Sequence, residues 1–139
     1  MSATLHSLIL ALSVQFQVSP YMVAAVIETE SKWDPASVGD LGERGLLQLR
    51  PEYFLLPGES VEVLHKPEEN LKRGIKYLAK MQARCVHKEA MQFVVCFNAG
   101  PTGARAIQDP ASFPYYLKFK ENYERLKAEN IFQNQTPPN

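Results

Sequence analysis

Two glutamates lie two residues apart after an apolar run, in the stretch AAVIETESKWD at residues 24–34. On a helix, residues two apart point to nearly opposite sides, so Glu28 and Glu30 have different surroundings. The apolar stripe of this helix continues to Glu30 and not to Glu28. The stripe is formed by Val23, Val26 and Ile27. The helical phase therefore separates two side chains of the same chemical type.

The two positions predict different chemistry. A carboxyl group in line with an apolar stripe loses hydration, which disfavours its charged form and raises the pKa of Glu30. A glutamate that is partly protonated near neutral pH can serve as a general acid. Glu28, on the other face, has Lys32 four residues later, and we predict a solvated ion pair there. For Glu30 the alternative is a boundary residue that reaches water at the helix end.

The elements that position these side chains are all predicted to be helical. No segment alternates as a strand does, and every periodic segment has helical spacing. The predicted helices span residues 3–17, 20–32, a short segment from Pro51, 67–86, 88–98, 102–108 and 114–130. Ser19 and Pro20 have the residue types of an N-cap and a first helical residue. We predict one all-α domain over residues 1–132, with a loop containing three glycines at 36–45 and a flexible tail at 133–139.

Composition excludes several classes of partner and cofactor. The chain has 139 residues with fifteen basic and fifteen acidic side chains, so its net charge does not favour nucleic acid or a membrane surface. The three histidines and two cysteines lack the spacing of metal ligands, and we expect no metal and no cofactor. Cys85 lies on the apolar side of its predicted helix and Cys96 in a nearly all-apolar helix, which favours buried thiols over a disulfide. We expect a monomer.

The N-terminal stretch MSATLHSLILALSVQF has some features of a signal peptide. It has no basic residue at its start, and polar residues interrupt its apolar run. Its apolar residues form one helical stripe, and the stretch is too short to span a bilayer. We therefore predict an amphipathic first helix of the folded domain and no membrane insertion.

Four motifs together resemble soluble lytic transglycosylase domains, glycoside hydrolase family 23. ETESKWDP is followed by SVGDLGERGLLQLRP, then KPEENLKRGIKYL and FNAGP, in the family's order, over roughly residues 20–120. The resemblance implies a lysozyme-like helical domain with a groove for peptidoglycan strands. It also implies cleavage of the β-1,4 bond between N-acetylmuramic acid and N-acetylglucosamine, with formation of 1,6-anhydro ends.

The same resemblance implies roles for particular residues. Glu30 would be the single acid and base. Gln48 and Asn98 would hydrogen-bond sugar or N-acetyl groups, and Ser31 would hold the loop beside the acid at the edge of the substrate site. Tyr116, in FPYYLKF, would donate a hydrogen bond to Glu30 and help set its protonation.

The loop after the acid departs from the family pattern. Its Gly-Asp-x-Gly stretch is similar to goose-type lysozymes, in which an aspartate of this loop positions a hydrolytic water. Asp40 is therefore a candidate second carboxylate, and Glu43 is a weaker candidate for the same role. With such a second carboxylate, the enzyme would be a hydrolytic muramidase. The alternative is that Asp40 is a turn residue before Gly42. A non-catalytic glycan-binding or virion structural module is a third hypothesis.

A row of basic residues recurs every four positions along the predicted long helix. Its members are Lys72, Lys76, Lys80, Arg84 and Lys88. We predict a solvated face, with contacts to anionic cell-wall groups as the alternative. The predicted place of action is the bacterial cell wall, reached as a phage virion or lysis protein or as a domain of a larger exported protein.

Overall fold

The computed structural model describes residues 3–85 and 91–133, and the regular structure in these ranges is helical. The α-helices are α1 (Ala3–Phe16), α2 (Pro20–Ser31), α3 (Pro51–Phe54), α4 (Pro67–Arg84), α5 (Val94–Arg105) and α6 (Pro114–Ala128). Two 3₁₀-helices span Val61–His65 and Pro110–Ser112. The prediction of an all-α domain is confirmed for the described residues. The predicted tail, except residue 133, and the predicted helix start at residue 88 lie outside them.

Helix α2 is the central element that positions Glu30. Its residues 22–27 are all buried, and it packs against α1 on one side and α6 on another. The predicted N-cap is confirmed, since the Ser19 side chain accepts a hydrogen bond from the backbone N–H of Met22 and Pro20 is the first helical residue. The end of α2 is therefore held by packing on several sides, which gives a side chain there a fixed origin.

Helix α2 ends abruptly, directly after Glu30 and Ser31. Lys32 and Trp33 both adopt left-handed backbone conformations, with φ of 51° and 68°. Such a conformation costs a residue other than glycine roughly 1–2 kcal/mol. The two residues turn the chain out of the helix, so that the following loop passes back beside Glu30.

The loop between α2 and α3 is packed and hydrogen-bonded. The backbones of Arg44 and Leu49 exchange two hydrogen bonds, of 2.9 and 3.0 Å, and Gly45 N–H donates to Ser37 O at 2.9 Å. Gly45 has φ +77°, and a Cβ there would collide with the carbonyl of Leu64. The leucines of the loop enter the core: they are Leu46, Leu47 and Leu49. The loop is therefore a rigid wall of the site.

The side chain of Asn70, on α4, is hydrogen-bonded to the backbone of this loop. Its side chain is fully buried and accepts a hydrogen bond from Leu47 N–H at 2.9 Å. Its amide nitrogen donates to Arg44 O at 2.9 Å and to Leu64 O at 2.7 Å. A buried polar group left without such partners costs about 1–3 kcal/mol, so this residue fixes the loop to α4.

The two cysteines form a disulfide, which contradicts the prediction of buried thiols. Cys85 follows the last residue of α4 and Cys96 lies in the first turn of α5, with Cα atoms 6.6 Å apart. The sequence places each residue on an apolar face, but whether two apolar faces meet is decided by the packing of the helices. The disulfide joins α4 to α5 at one end of the domain.

None of the described helices is both long and apolar enough to cross a bilayer.

Candidate active site

A groove of about 530 Å³ opens beside the end of α2. Such a volume is within the usual range for a ligand site. Its lining has a polar part, an aromatic part and two cations: Glu30, Glu43, Gln48 and Asn98; Tyr53, Phe54, Tyr77 and Phe97; Arg50 and Lys80. Side chains come from the loop that follows α2 and from the helices α3, α4 and α5. The groove therefore brings together residues that are far apart in sequence.

Glu30 lies in this groove, partly exposed, with an unusual protonation equilibrium. Burial raises the pKa of Glu30 to about 7, and the negative charge of Glu43 contributes to the rise. The hydroxyl of Tyr115 donates a hydrogen bond to Glu30 Oε2 at 2.9 Å and lowers the pKa, without cancelling the effect of burial. A carboxyl group with these properties is partly protonated at neutral pH and can both give and take a proton.

The hydrogen bond that was predicted for Tyr116 is made by its neighbour Tyr115. Tyr116 is 1 % exposed, and its ring packs against that of Phe119 in the core, so it does not reach the groove. Burial and the adjacent Glu30 carboxyl raise the pKa of Tyr115 well above its usual value, so this residue remains a hydroxyl donor. Helical phase does not separate the two tyrosines, because Tyr116 lies three residues and Tyr115 four residues before the core residue Phe119.

Ser31 supports the site from within the protein. Its side chain is buried, and the hydroxyl donates to Leu46 O at 2.8 Å and also lies 3.2 Å from Ile27 O. These contacts fix the loop against the helix end beside Glu30. Ser31 is not part of the groove lining, and its direct contact with a substrate stays a prediction.

Gln48 is both a loop clamp and a groove residue. Its amide nitrogen donates to Ser37 O at 3.1 Å and to Gly45 O at 2.9 Å, which uses both of its N–H groups. Its carbonyl oxygen remains to accept a hydrogen bond. Because Gly39 has no side chain, it leaves room for this oxygen. A Cβ at position 39 would lie 2.7 Å from Gln48 Oε1 and 2.6 Å from Glu43 Oε1.

Asn98 lies across the groove on α5. Its side chain is exposed, and among the described residues its amide makes no hydrogen bond, so its donors and acceptor are available to a ligand. Helix α5 breaks at Gly100, where φ is +75°. Glycine adopts this conformation readily, whereas other residues do so at a cost. The break follows the FNAGP motif directly and agrees with the predicted helix end near residue 98.

The structure brings Glu43, rather than Asp40, to the groove. Gly39 N–H donates to Glu43 O and Gly42 N–H to Gly39 O, which closes a turn with Asp40 near its tip. Asp40 is exposed and is not part of the groove lining. Glu43 does line the groove, and its Oε1 accepts a hydrogen bond from Leu41 N–H at 2.7 Å.

Glu28 is not the solvated partner of Lys32 that the sequence predicted. Its carboxylate pairs with Arg125 of α6 at 3.1 Å and accepts a hydrogen bond from Trp33 Nε1 at 3.2 Å. The side chain is 21 % exposed. The prediction failed because the helix ends at Ser31, and the left-handed Lys32 no longer has helical i, i+4 geometry.

The basic row lies mostly in solvent, as predicted. Lys72, Lys76, Lys80 and Arg84 are exposed, and Lys88 lies outside the described residues. Lys80 differs from Lys72 and Lys76 because it also lines the groove. Within the described residues, no group of three His, Cys, Asp or Glu side chains could hold a metal ion.

Comparison with known families agrees with this geometry. The model of the family described as "Transglycosylase SLT domain" matches residues 7–115. The match begins in α1, includes Glu30 and every residue of the groove lining, and ends at Tyr115. It confirms the resemblance seen in the sequence motifs.

Proposed function

Because the chain belongs to the transglycosylase SLT domain family, we propose that it is a peptidoglycan lytic transglycosylase with Glu30 as its acid and base. The family supports peptidoglycan as the substrate and glycosidic bond cleavage as the activity. One observation carries the assignment of Glu30: this carboxyl lies in the groove with a pKa of about 7 and a hydrogen bond from Tyr115.

The first step of the proposed reaction breaks the glycosidic bond. Protonated Glu30 gives its proton to the bridging oxygen, which leaves as the 4-hydroxyl of N-acetylglucosamine. The carbonyl oxygen of the N-acetyl group on the muramic sugar closes onto the anomeric carbon and accepts its developing positive charge. The pKa of about 7 supports this step, since roughly half of the Glu30 population is protonated at neutral pH.

The second step forms the anhydro ring. Glu30, now a carboxylate, takes the proton of the sugar's own 6-hydroxyl, and that oxygen displaces the N-acetyl oxygen at the anomeric carbon. The product has a 1,6-anhydro end, no water is consumed, and Glu30 is protonated again. The Tyr115 hydroxyl donates to the carboxylate in the interval, which is the state that this hydrogen bond favours.

Other groove residues support binding of a glycan. Within residues 3–85 and 91–133, the Asn98 amide and the Gln48 carbonyl oxygen make no hydrogen bond, so the pair offers a donor and acceptors to N-acetyl and hydroxyl groups. The rings of Phe54, Tyr77 and Phe97 pack in series, with centroids 5.3 and 5.7 Å apart, and form an apolar wall. Such a wall suits the apolar faces of sugar rings.

The proposed place of action is the bacterial cell wall, where this family acts. The Cys85–Cys96 disulfide supports a location outside the reducing cytosol, because disulfides persist in oxidising environments.

Mass spectrometry of the muropeptides released from purified peptidoglycan tests the proposal. We expect fragments with 1,6-anhydro ends from the wild-type protein and almost none from Glu30→Gln. Asp40→Asn is the matched control, since this carboxylate lies outside the groove, and we expect it to release fragments at the wild-type rate. Release of no fragments by the wild-type protein would favour the non-catalytic glycan-binding module.

A hydrolytic muramidase is the second candidate function. The position of Glu43 in the groove favours Glu43, and not Asp40, as the residue that would orient the water in such an enzyme. Glu43 lines the same groove as Glu30, so its carboxylate is available to orient a water molecule. Reducing ends in the same mass spectra would support hydrolysis. In that case, Glu43→Gln should abolish the reducing ends and Asp40→Asn should leave them unchanged.

A further inference from the structure

Two cations of the described part of the chain line the groove, although the sugar backbone of the proposed substrate is uncharged. Arg50 and Lys80 both line the groove that holds Glu30. In strands that carry stems, the lactyl carboxyl of each muramic sugar is part of an amide, so the sugars offer hydroxyl and amide groups but no negative charge. Cations in a recognition site are usually matched by anionic groups on the partner, so the substrate should have an anion near the scissile bond.

Lys80 is the clearer of the two cations. It is exposed on α4, and among the described residues no carboxylate lies within ion-pair distance of its Nζ. Lys76 and Lys72, about one and two turns earlier on the same helix, are also exposed but lie outside the groove. Lys80 is therefore the position at which the basic row of α4 meets the substrate site.

Arg50 is held at the rim of the groove in an ordered arrangement. Its guanidinium pairs with Glu52 at 3.2 Å, with both side chains well exposed, and lies 5.3 Å from the ring centroid of Tyr53. Exposed ion pairs contribute little, so a ligand carboxylate can compete with Glu52. Arg50 Nε is buried without a hydrogen-bond partner among the described residues. Tyr53 itself is 71 % exposed and offers an apolar ring beside the cation.

Building on the proposed function, we infer that Lys80 and Arg50 form a subsite for the carboxylates of the peptidoglycan stem peptide. The stem is attached to the lactyl group of the same muramic sugar whose bond is cleaved, so its carboxylates lie near the groove whenever that sugar is bound. The exposed ring of Tyr53 can cover the apolar parts of the peptide. The enzyme then distinguishes strands that carry stems from strands that have lost them.

Steady-state kinetics on matched soluble substrates test this subsite. The first substrate is uncross-linked strands that carry stem peptides and are free of attached wall polymers. The second is the same strands after an amidase has removed the stems and the lactyl carboxylates so freed have been amidated, and the third has amidated stem carboxylates. For Lys80→Met we expect KM on the first substrate to rise about two- to fivefold, as loss of one exposed ion pair predicts. We expect kcat to stay constant, because neither cation touches the reacting atoms.

Several measurements separate this role from a structural one. On the stripped and amidated strands, Lys80→Met should match the wild-type protein, and Lys80→Arg should restore the wild-type KM on the first substrate. Lys76→Met, from the same row outside the groove, should have no effect on any substrate. The difference should also vanish at about 1 M salt, where the screening length is only about 3 Å. Arg50→Gln should change KM in the same direction as Lys80→Met.

The alternative outcomes are distinct. An equal rise in KM on all three strands, or no rise on any, would overturn the stem-peptide subsite and leave the proposed function intact. An effect that requires strands with attached anionic wall polymers would assign the cations to those polymers and overturn the inference. A wild-type protein that cleaves none of the strands would contradict the proposed function itself.

Discussion

The two glutamates at the end of α2 are identical in chemistry but differ in what α6 presents to each of them. Glu30 faces the groove and receives a hydrogen bond from the neutral hydroxyl of Tyr115. Glu28 faces the opposite side and pairs with the guanidinium of Arg125, at an exposed edge of the same two helices. Between them, Asn122 donates to the hydroxyl of Thr29 at 3.0 Å.

This difference shows how one helix end can hold a structural carboxyl group beside the carboxyl group that we propose to be catalytic. An arginine remains charged at all ordinary pH values, and its ion pair with Glu28 bridges the two helices. The Tyr115 hydroxyl orients the Glu30 carboxyl but brings no positive charge to it. The pKa of Glu30 therefore remains raised to about 7 by burial. Burial, together with the kind of partner, therefore distinguishes the two carboxyl groups.

Exchange of each carboxyl for an amide gives the largest expected contrast. Glu30→Gln removes the proton donor, and general acid–base catalysis is worth about 10²–10⁴-fold. We expect a loss of that size in the rate of peptidoglycan solubilisation, while Glu28→Gln stays within about twofold of the wild-type rate. A Glu30→Gln protein with near wild-type activity would contradict the catalytic assignment.

The same exchange at residue 30 should change stability in a manner that depends on pH. Below pH 4.5 Glu30 is protonated in both the folded and the unfolded protein and contributes nothing. Between pH 4.5 and about 7 only the unfolded state ionises, so the free energy of unfolding falls, by about 3 kcal/mol in total. Above pH 7 the cost remains constant.

Glutamine cannot ionise, so Glu30→Gln should escape this loss. We expect urea denaturation to give similar stabilities for the two proteins at pH 4 and a more stable variant, by about 3 kcal/mol, at pH 8. The comparison uses the difference between the two proteins, in which the titration of all other groups cancels. A difference that does not grow with pH would refute the raised pKa of Glu30.

The adjacent tyrosines provide the next contrast. Tyr115→Phe removes the donor to Glu30, and a hydrogen bond to a charged group is worth about 1.5–3 kcal/mol, so kcat should fall about ten- to hundredfold. Because this bond lowers the pKa of Glu30, its loss should move the alkaline limb of the pH–rate profile to higher pH. Tyr116→Phe lies in the core and should leave that limb in place. The reverse result would restore the assignment made from sequence.

Local features of the fold were predictable from the sequence because their causes are local. Ser19 and Pro20 mark the start of α2 through capping chemistry, and Gly100 marks the break in α5 through its backbone freedom. The raised pKa of Glu30 followed from helical phase and desolvation. Helical phase alone did not predict the surroundings of Glu28, because α2 is buried on nearly all sides.

The features that escaped prediction all depend on contacts between distant segments. The Glu28–Arg125 pair spans 97 positions and the Tyr115–Glu30 bond spans 85. The Cys85–Cys96 disulfide depends on how α4 and α5 pack, and Asn70 acts only where the loop crosses α4. Periodicity describes which face of a helix is apolar, but it does not specify which neighbour will cover that face.

The smallest expected effect is on the structural side of the comparison, in the stability of Glu28→Gln. Its ion pair with Arg125 is exposed, and such pairs contribute little, so we expect Tm to fall by no more than about 3 °C at low salt. The amide oxygen of the variant still accepts the Trp33 hydrogen bond, which limits the loss. Because salt screens exposed charges, the difference should shrink in about 1 M salt. Glu121→Gln, whose pair with Lys118 is longer and more exposed, is the matched control and should not change Tm. A larger loss that persists in high salt would show that Glu28 acts through packing rather than through charge.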